Sequence, residues 1–184
     1  TATRAIALGM SVGLVGRRPR RHETFGDVLG VDQLHRALGD ADHVLDALPL
    51  TDATRGVFGA AAFEVMPSRA RFYNVGRGGT VDEPALVHAL RSGAIAGAAL
   101  DVFETEPLPA DSPLWTMPNV IVSPHVSGDV EGWEADVVSI FVENARRFAA
   151  GAPLHNVVDK EAGHGIGEPP TSIGRGLPPG PARP

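Results

Sequence analysis

The chain has 184 residues, which is enough for one domain with a substantial core and too few for two domains of full size. Its formal net charge of −6 argues against nucleic acid or an anionic membrane as a partner, because both bind basic surfaces. Cysteine is absent, which excludes disulfides and zinc–thiolate sites and agrees with a cytoplasmic location.

Helices and strands are predicted to alternate along the first 150 residues. Short apolar runs bounded by Gly, Pro or charged residues indicate strands, and apolar residues spaced three or four apart indicate helices. These rules predict strands at 11–16, 43–48, 71–75, 95–103 and 120–122. They predict helices at 1–8, 31–38, 60–66, 84–90 and 128–150.

The predicted strands are continuous apolar runs, which is typical of a parallel sheet covered on both faces. We therefore predict an α/β fold with a doubly wound, Rossmann-like sheet over residues 1–150. From Gly163 onward the sequence is rich in Gly and Pro and has few large apolar residues. Such a segment cannot bury enough surface to offset its ordering entropy, so we expect residues 161–184 to be disordered.

A dinucleotide-binding sheet of this class begins with a strand, a G-x-G-x-x-G loop and a helix, and the loop holds the pyrophosphate. No such pattern lies between a predicted strand and helix here, since the segment from Gly76 to Gly79 lacks the third glycine. We therefore expect the first strand and its loop to precede Thr1. That strand is central in the order 3-2-1-4-5-6, so its two neighbours are expected to present unpaired backbone groups.

Charged residues follow the predicted strand ends. Arg77 follows the strand 71–75, Asp101 and Glu106 follow the apolar run 95–100, and His125 follows the strand 120–122. In a parallel sheet these strand ends share one edge, where ligands bind. Each residue by itself is more often a solvated charge or a structural residue, but the ordered set favours a common site.

This set suits the reduction of a 2-keto acid. The planar guanidinium of Arg can hold a carboxylate and a carbonyl. Histidine is the usual proton donor near neutral pH, and a neighbouring carboxylate favours the imidazolium and orients the ring.

Five segments of the chain resemble the D-2-hydroxyacid dehydrogenase family. They are LPLTDATRG (48–56), NVGRGGTVDEPAL (74–86), GAALDVFETEPLP (97–109), SPLW with PNVIVSPHVSG (112–128) and GAPLHNVVD (151–159). The resemblance implies hydride transfer between NAD(P)H and a 2-keto or D-2-hydroxy acid. In it Arg77 binds the substrate, His125 is the acid/base and Glu106 is the partner of His125.

The resemblance also implies further contacts and partners. Asp101 is similar to the family's acid that contacts the nicotinamide carboxamide. Residues 151–160 would return toward a substrate domain, and the complete enzyme would be a homodimer. No apolar run approaches the roughly 20 residues of a membrane helix, and no metal motif is present, so neither a membrane nor a metal is expected. The implied cofactor contacts also include Pro49, Val75, Gly76, Arg77, His125, Ser127 and Gly128.

The end of the second strand bears on the choice of cofactor. The position where the family usually has a ribose-binding acid is Gly16, and Arg17 and Arg18 follow it. An acid would repel a 2′-phosphate and arginine attracts it, which favours NADP(H) in the manner of the glyoxylate/hydroxypyruvate reductase branch. A solvated arginine cluster without a ligand is the alternative.

Two hypotheses for function follow from the sequence. The first is an oxidoreductase, and the second is an inactive remnant or a non-catalytic NAD(P)-binding module like the corepressors that resemble this family. The Arg–Glu–His set favours the first hypothesis, and the missing glycine loop favours the second.

Overall fold

The computed structural model describes residues 1–160 and the backbone of residues 164 and 165. The chain divides into two compact units, residues 1–127 and residues 128–184. The tail predicted to be disordered, 161–184, lies outside the described residues except for those two. No helix in the described part of the chain is both long and apolar enough to span a membrane.

The first unit is built from seven strands and four α-helices, all within its fully described residues. The strands are β1 (Leu14–Gly16), β2 (Arg20–His22), β3 (Gly26–Gly30), β4 (His43–Asp46), β5 (Arg71–Asn74), β6 (Gly97–Leu100) and β7 (Val120–Val122). The helices are α1 (Ala2–Ala7), α2 (Leu34–Leu38), α3 (Ala60–Glu64) and α4 (Glu83–Ser92).

The strands form two sheets. β4, β5, β6 and β7 lie in that order in a sheet whose pairs are all parallel. β1 pairs in parallel with β3, and β2 pairs with the other side of β3 in antiparallel orientation. The predicted α/β class with a doubly wound, Rossmann-like parallel sheet is confirmed.

β1 and β4 are edge strands that border a common groove. The groove has a volume of about 260 Å³, and apolar side chains of β1, α2 and β4 line it. The order β3–β1, groove, β4–β5–β6 is that of a 3-2-1-4-5-6 sheet without its central strand. Two inner strands with an unpaired edge were predicted from the sequence, and β1 and β4 are those strands.

One face of the four-stranded sheet forms the core. Val44, Phe72 and Ala98 are in register across β4, β5 and β6, and each is buried. Phe63 of α3 and Leu86 of α4 belong to the same buried cluster. The aromatic rings of Phe63 and Phe72 meet edge to face with centroids 5.5 Å apart, an arrangement that favours aromatic packing.

The opposite face is less buried than the sequence predicted. Leu45 of β4 is 45% exposed and Ile121 of β7 is 71% exposed. β4 therefore alternates between exposed and buried residues, and the expectation of burial on both faces is wrong for this strand. An apolar run of six residues does not distinguish the two cases, because Leu45 is apolar whether or not another element covers it.

Other elements also depart from the prediction. α1 has no buried residue, so Ile6 and Leu8 do not face a core as expected. β2 and β3 were missed because neither contains an apolar run, and the charged strand Arg20–His22 is held by pairing with β3. α4, by contrast, lies where a helix was predicted, and its N-cap Asp82 accepts a hydrogen bond from Ala85 N–H.

The second unit contains the long helix α5 (Trp133–Ala149), which begins five residues after the predicted start at 128. Its predicted apolar stripe is present but exposed, with Val137, Phe141 and Phe148 all more than half exposed. β8 (Val158–Asp159) and β9 (His164–Gly165) form a short antiparallel pair.

Candidate active site

The charged residues predicted from the strand ends lie along one edge of the four-stranded sheet. β5 ends at Asn74, β6 at Leu100 and β7 at Val122. The backbone ladder continues one residue further, because Asp101 N–H donates to Asn74 O at 2.9 Å and Ser123 N–H donates to Leu100 O at 2.9 Å. The segments that carry Arg77, Asp101 and His125 therefore leave the sheet side by side.

His125 and Glu106 are joined by a hydrogen bond. Nδ1 of His125 lies 2.7 Å from Oε2 of Glu106, and the two side chains are 43% and 36% exposed. The other carboxylate oxygen of Glu106 accepts a hydrogen bond from Phe103 N–H at 3.0 Å. The predicted pairing of these two residues is present.

The surroundings of Glu106 stabilise its ionised form. Partial burial raises its pKa, but the hydrogen bonds from His125 and Phe103 and the positive charges of His125 and Arg77 lower it by more. The pKa of Glu106 therefore lies below its ordinary value. The charge of Arg77 is the smallest of these contributions.

Asp101 holds the segment that carries His125. Its Oδ1 accepts hydrogen bonds from Ser123 Oγ at 2.5 Å and from Val126 N–H at 2.9 Å. Its Oδ2 accepts one from Ser127 N–H at 2.8 Å, and the Ser127 hydroxyl also acts on the carboxylate. Asp101 is buried, which raises its pKa, but these four hydrogen bonds together hold the pKa well below its usual range.

The backbone of His125 is strained, and Asp101 opposes that strain. The φ of His125 is +57°, in the left-handed region that costs a non-glycine residue about 1–2 kcal/mol. The two N–H groups that follow it both point at the carboxylate of Asp101. Strain of this kind persists where neighbouring bonds fix the backbone, and it concentrates at functional sites.

The loop after β5 holds Arg77 by its backbone. Asn74 is buried, accepts a hydrogen bond from Gly76 N–H and donates one to Arg77 O at 3.2 Å. The Arg77 guanidinium donates to Gly76 O at 2.7 Å, and the residue is otherwise exposed. Arg77 is thus anchored at its main chain while its side chain faces the outside.

Gly78 brings the Arg77 loop against the loop that carries Glu106. A Cβ at Gly78 would lie 1.8 Å from the carbonyl carbon of Phe103, which no side chain can occupy. Phe103 is also the residue whose N–H binds Glu106. The two loops can meet this closely only with glycine at position 78.

The other predicted cofactor contacts have varied surroundings. Pro49 and Val75 are exposed at the ends of β4 and β5. The N–H of Gly76 is used by Asn74, and a Cβ there would lie 2.7 Å from Leu48 O. The N–H of Ser127 is used by Asp101. Gly128 is the first residue of the second unit.

Arginines surround the end of β1. Arg17 and Arg18 follow Gly16 and are exposed. Arg20, in β2, was not singled out from the sequence, yet its guanidinium nitrogen lies 2.7 Å from the point where a Cβ of Gly16 would stand. Gly16 therefore leaves the space that this guanidinium occupies.

Three further polar residues at this edge were not predicted as part of the site. Asp46 ends β4, Asn74 ends β5, and Thr80 closes the turn after Arg77; each is at most 1% exposed. A usable signal was present in the sequence, since Asp46 and Asn74 are polar residues within apolar runs. Among the described residues, no group of three or more histidine or acidic side chains is arranged to hold a metal ion.

Residues 1–127 match the family described as the NAD-binding domain of D-isomer specific 2-hydroxyacid dehydrogenases. The chain belongs to this family. Curated relatives include the glyoxylate/hydroxypyruvate reductase B of Citrobacter koseri, 49% identical over 128 residues, which are 70% of this chain and 40% of that protein. The protein of the same name from Salmonella newport is 39% identical over 156 residues, covering 84% of this chain and 48% of that one.

Solved structures of this dehydrogenase family are similar in fold. The D-isomer specific 2-hydroxyacid dehydrogenase of Xanthobacter autotrophicus Py2, in complex with NADPH and MES, has a TM-score of 0.74 at 43% identity and covers 86% of this chain and 66% of that one. The NADPH-dependent glyoxylate/hydroxypyruvate reductase of Sinorhizobium meliloti, in complex with NADP and sulfate, has a TM-score of 0.78 at 38% identity. It covers 89% of this chain and 52% of that one. The chain thus spans less than half the length of the curated relatives named here.

Replacing Asp101 with Asn should destabilise the first unit at neutral pH by about 2 kcal/mol, because hydrogen bonds to a charged group contribute about 1.5–3 kcal/mol. The pKa of Asp101 is lower in the folded chain than the roughly 3.9 of an unfolded chain, so its contribution is present above that value. The difference between parent and variant should therefore shrink as the pH falls below about 4. Urea unfolding across this pH range measures it, with Asp111→Asn, at an exposed aspartate, as control. A difference independent of pH would contradict the assignment.

Gly78→Ala should destabilise the chain by about 3 kcal/mol or more, because the new methyl group would overlap the backbone of Phe103. Gly13→Ala is the matched control, since a Cβ at Gly13 would meet nothing within 4 Å. Thermal and urea unfolding of both variants measure the effect. Equal stability of the two variants would show that the two loops do not meet as described.

Proposed function

We propose that this chain supplies the dinucleotide-binding part and the acid–base pair of an NAD(P)-dependent oxidoreductase that interconverts 2-keto acids and D-2-hydroxy acids. The observation that carries the proposal is the 2.7 Å contact between His125 and Glu106, close enough to Arg77 for its charge to act on Glu106. Membership of the dehydrogenase family supports the same reaction. The intact set favours an enzyme over a non-catalytic binding module.

His125 is the proposed acid/base. Glu106 engages Nδ1, which leaves Nε2 as the ring nitrogen that faces a substrate. The ionised carboxylate of Glu106 orients the ring. When a carbonyl is reduced, Nε2–H donates the proton to the new alkoxide oxygen, and in the reverse direction Nε2 accepts the proton of the hydroxyl.

Arg77 is the proposed substrate clamp. Its main chain is fixed by Asn74 and Thr80, while its side chain is exposed beside the acid–base pair. A guanidinium can pair with both oxygens of a carboxylate and can also donate to the neighbouring carbonyl. A small 2-keto acid placed in this way presents its carbonyl oxygen to His125.

The cofactor in this proposal is NAD(P)H, whose nicotinamide, when bound, supplies the hydride. The residues proposed to hold it are Pro49, Val75, Gly76, Ser127 and Gly128, which follow the strand ends. The carboxylate of Asp101 already accepts hydrogen bonds from residues 123–127. A contact with the nicotinamide carboxamide would therefore replace the hydrogen bond from the Ser127 hydroxyl. The role we assign to Asp101 is therefore mainly to position the His125 segment.

We further propose a preference for NADP(H). Arg17, Arg18 and Arg20 surround the end of β1, where Gly16 carries no acid to repel a phosphate. The Xanthobacter and Sinorhizobium structures contain NADPH and NADP respectively. By analogy with the relatives' names, the substrate is a small 2-keto acid such as glyoxylate or hydroxypyruvate. A cytoplasmic homodimer is part of the same proposal.

The proposal is tested in a chimera in which residues 1–127 replace the corresponding segment of the Citrobacter koseri reductase. We expect the chimera to reduce glyoxylate with NADPH, and the absorbance of NADPH measures the rate. His125→Ala should lower kcat by about 10²–10⁴, the usual contribution of a general acid, and leave the Kd of NADPH nearly unchanged. His88→Ala, at an exposed histidine of α4, is the control and should keep parental kcat. Parental kcat in His125→Ala would rule out this acid/base.

The cofactor preference is tested by Arg17→Ala with Arg18→Ala in the same chimera. We expect kcat/KM for NADPH to fall at least about tenfold while kcat/KM for NADH changes little, because one lost ion pair with a phosphate is worth about 1.4 kcal/mol or more. Arg91→Ala, at an exposed arginine of α4, should change neither value. An unchanged ratio of the two kcat/KM values would identify the cluster as solvated arginines without a ligand.

A further inference from the structure

Two polar side chains connect β4 to the backbone of Arg77. Asp46, the last residue of β4, is 1% exposed and Thr80 is fully buried. Oδ2 of Asp46 lies 2.5 Å from Oγ1 of Thr80, and the same Oγ1 lies 2.6 Å from the carbonyl oxygen of Arg77. The other oxygen of Asp46 accepts a hydrogen bond from Leu48 N–H at 2.9 Å.

The two short contacts at Thr80 need two protons. Oxygen atoms at 2.5 and 2.6 Å are at hydrogen-bond distance, and each contact requires a proton between the atoms. The Thr80 hydroxyl has one proton, and the carbonyl of Arg77 has none. If Asp46 were ionised, two acceptors, Oδ2 of Asp46 and the carbonyl oxygen of Arg77, would share the single proton of Thr80. The second proton therefore belongs to Asp46.

We propose that Asp46 is a neutral carboxylic acid at neutral pH and a positioning residue for Arg77. Its Oδ2–H donates to Thr80 Oγ1, and the Thr80 hydroxyl in turn donates to Arg77 O. The chain of donors fixes the main-chain carbonyl of the residue that clamps the substrate, a role that rests on the proposed function. When Asp46 loses its proton, the Thr80 hydroxyl turns to the carboxylate, and Arg77 O keeps only the hydrogen bonds from Asn74 Nδ2 and Thr80 N–H.

The surroundings of Asp46 agree with a neutral acid. Burial raises its pKa, and hydrogen bonding with Thr80 and with Leu48 N–H offsets only part of that effect. The groove beside β4 is lined by apolar residues of β1 and α2. Its register partner on β5 is the uncharged Asn74. Two titratable or charged side chains on neighbouring segments have other partners: His43 of β4, which also lines the groove, bonds to Tyr73, and the Arg77 guanidinium bonds to Gly76 O.

A ¹³C NMR titration of aspartate carboxyl carbons in the complete 184-residue chain tests the protonation directly. We expect one buried carboxyl group to keep its proton at neutral pH, whereas ordinary aspartates ionise near pH 3.9. This signal should be missing in Asp46→Asn, which assigns it. Ionisation of every aspartate by about pH 5 would overturn the proposal. The measurement uses neither substrate nor cofactor, so its outcome is independent of the proposed reaction.

Stability provides the second measurement. A raised pKa means that the contribution of Asp46 to stability is complete below about pH 3.9 and is lost as pH rises toward the pKa of the folded chain. Asp46→Asn keeps an N–H donor to Thr80 and an acceptor for Leu48 N–H without this titration. The variant should therefore gain stability relative to the parent as pH rises. A loss of stability at neutral pH would show that Asp46 acts as a carboxylate.

The positioning role has its own measurement. In the parent chain, the amide shifts of Gly78 and Thr80 should titrate with the same midpoint as the Asp46 carboxyl. In Thr80→Val the carboxyl should still titrate while the Gly78 amide no longer follows it, and Thr80→Ser should restore the coupling. A Gly78 amide that follows Asp46 in Thr80→Val would overturn the relay through Thr80. His88→Ala should leave the coupling unchanged.

Discussion

The in-register pairing of four parallel strands is the constraint on which the site depends. Asp46 pairs with Asn74, Asn74 with Leu100 and Leu100 with Val122, so the four strands end at one level. The backbone ladder then extends by one hydrogen bond between each pair of neighbouring strands, and the segments that leave the sheet lie next to one another. A shift of register by one residue would send alternate side chains to the opposite face and separate the segments.

The polar residues at these strand ends convert that alignment into fixed loops. Asn74 closes the turn that leads to Arg77, and Asp101 closes the segment that contains His125. Buried polar groups are costly unless they are satisfied, and the described residues contain no buried side-chain nitrogen or oxygen without a partner. The same hydrogen bonds satisfy these buried polar residues and hold the loops in place. This support allows His125 to keep a positive φ.

Much of the site could be read from the sequence, because Arg77, Glu106 and His125 follow apolar runs whose ends must share an edge. The pairing of His125 with Glu106 followed from chemistry that requires an oriented imidazole. The exposure of Leu45 could not be predicted from the sequence, since burial on the second face of the sheet depends on which elements cover that face. β2 was also unreadable, because backbone pairing with β3 overrides the low strand propensity of a charged segment. The contact between Asp46 and Thr80 was not predicted, because it joins residues 34 positions apart.

Two aspartates at the same sheet edge have opposite charge states, and the balance between burial and the number of donors around each explains the difference. Asp101 receives hydrogen bonds from two backbone N–H groups and two serine hydroxyls, which together outweigh the cost of burying its charge. Asp46 receives one backbone N–H, and its second neighbour is a hydroxyl whose single proton is also needed by Arg77 O. A buried carboxylate that accepts four hydrogen bonds stays ionised. A buried carboxyl group with too few donors around it keeps its proton. In this proposal the sheet supplies an ionised aspartate beside the proposed acid–base pair and a neutral one next to the proposed substrate-binding arginine, from the same residue type.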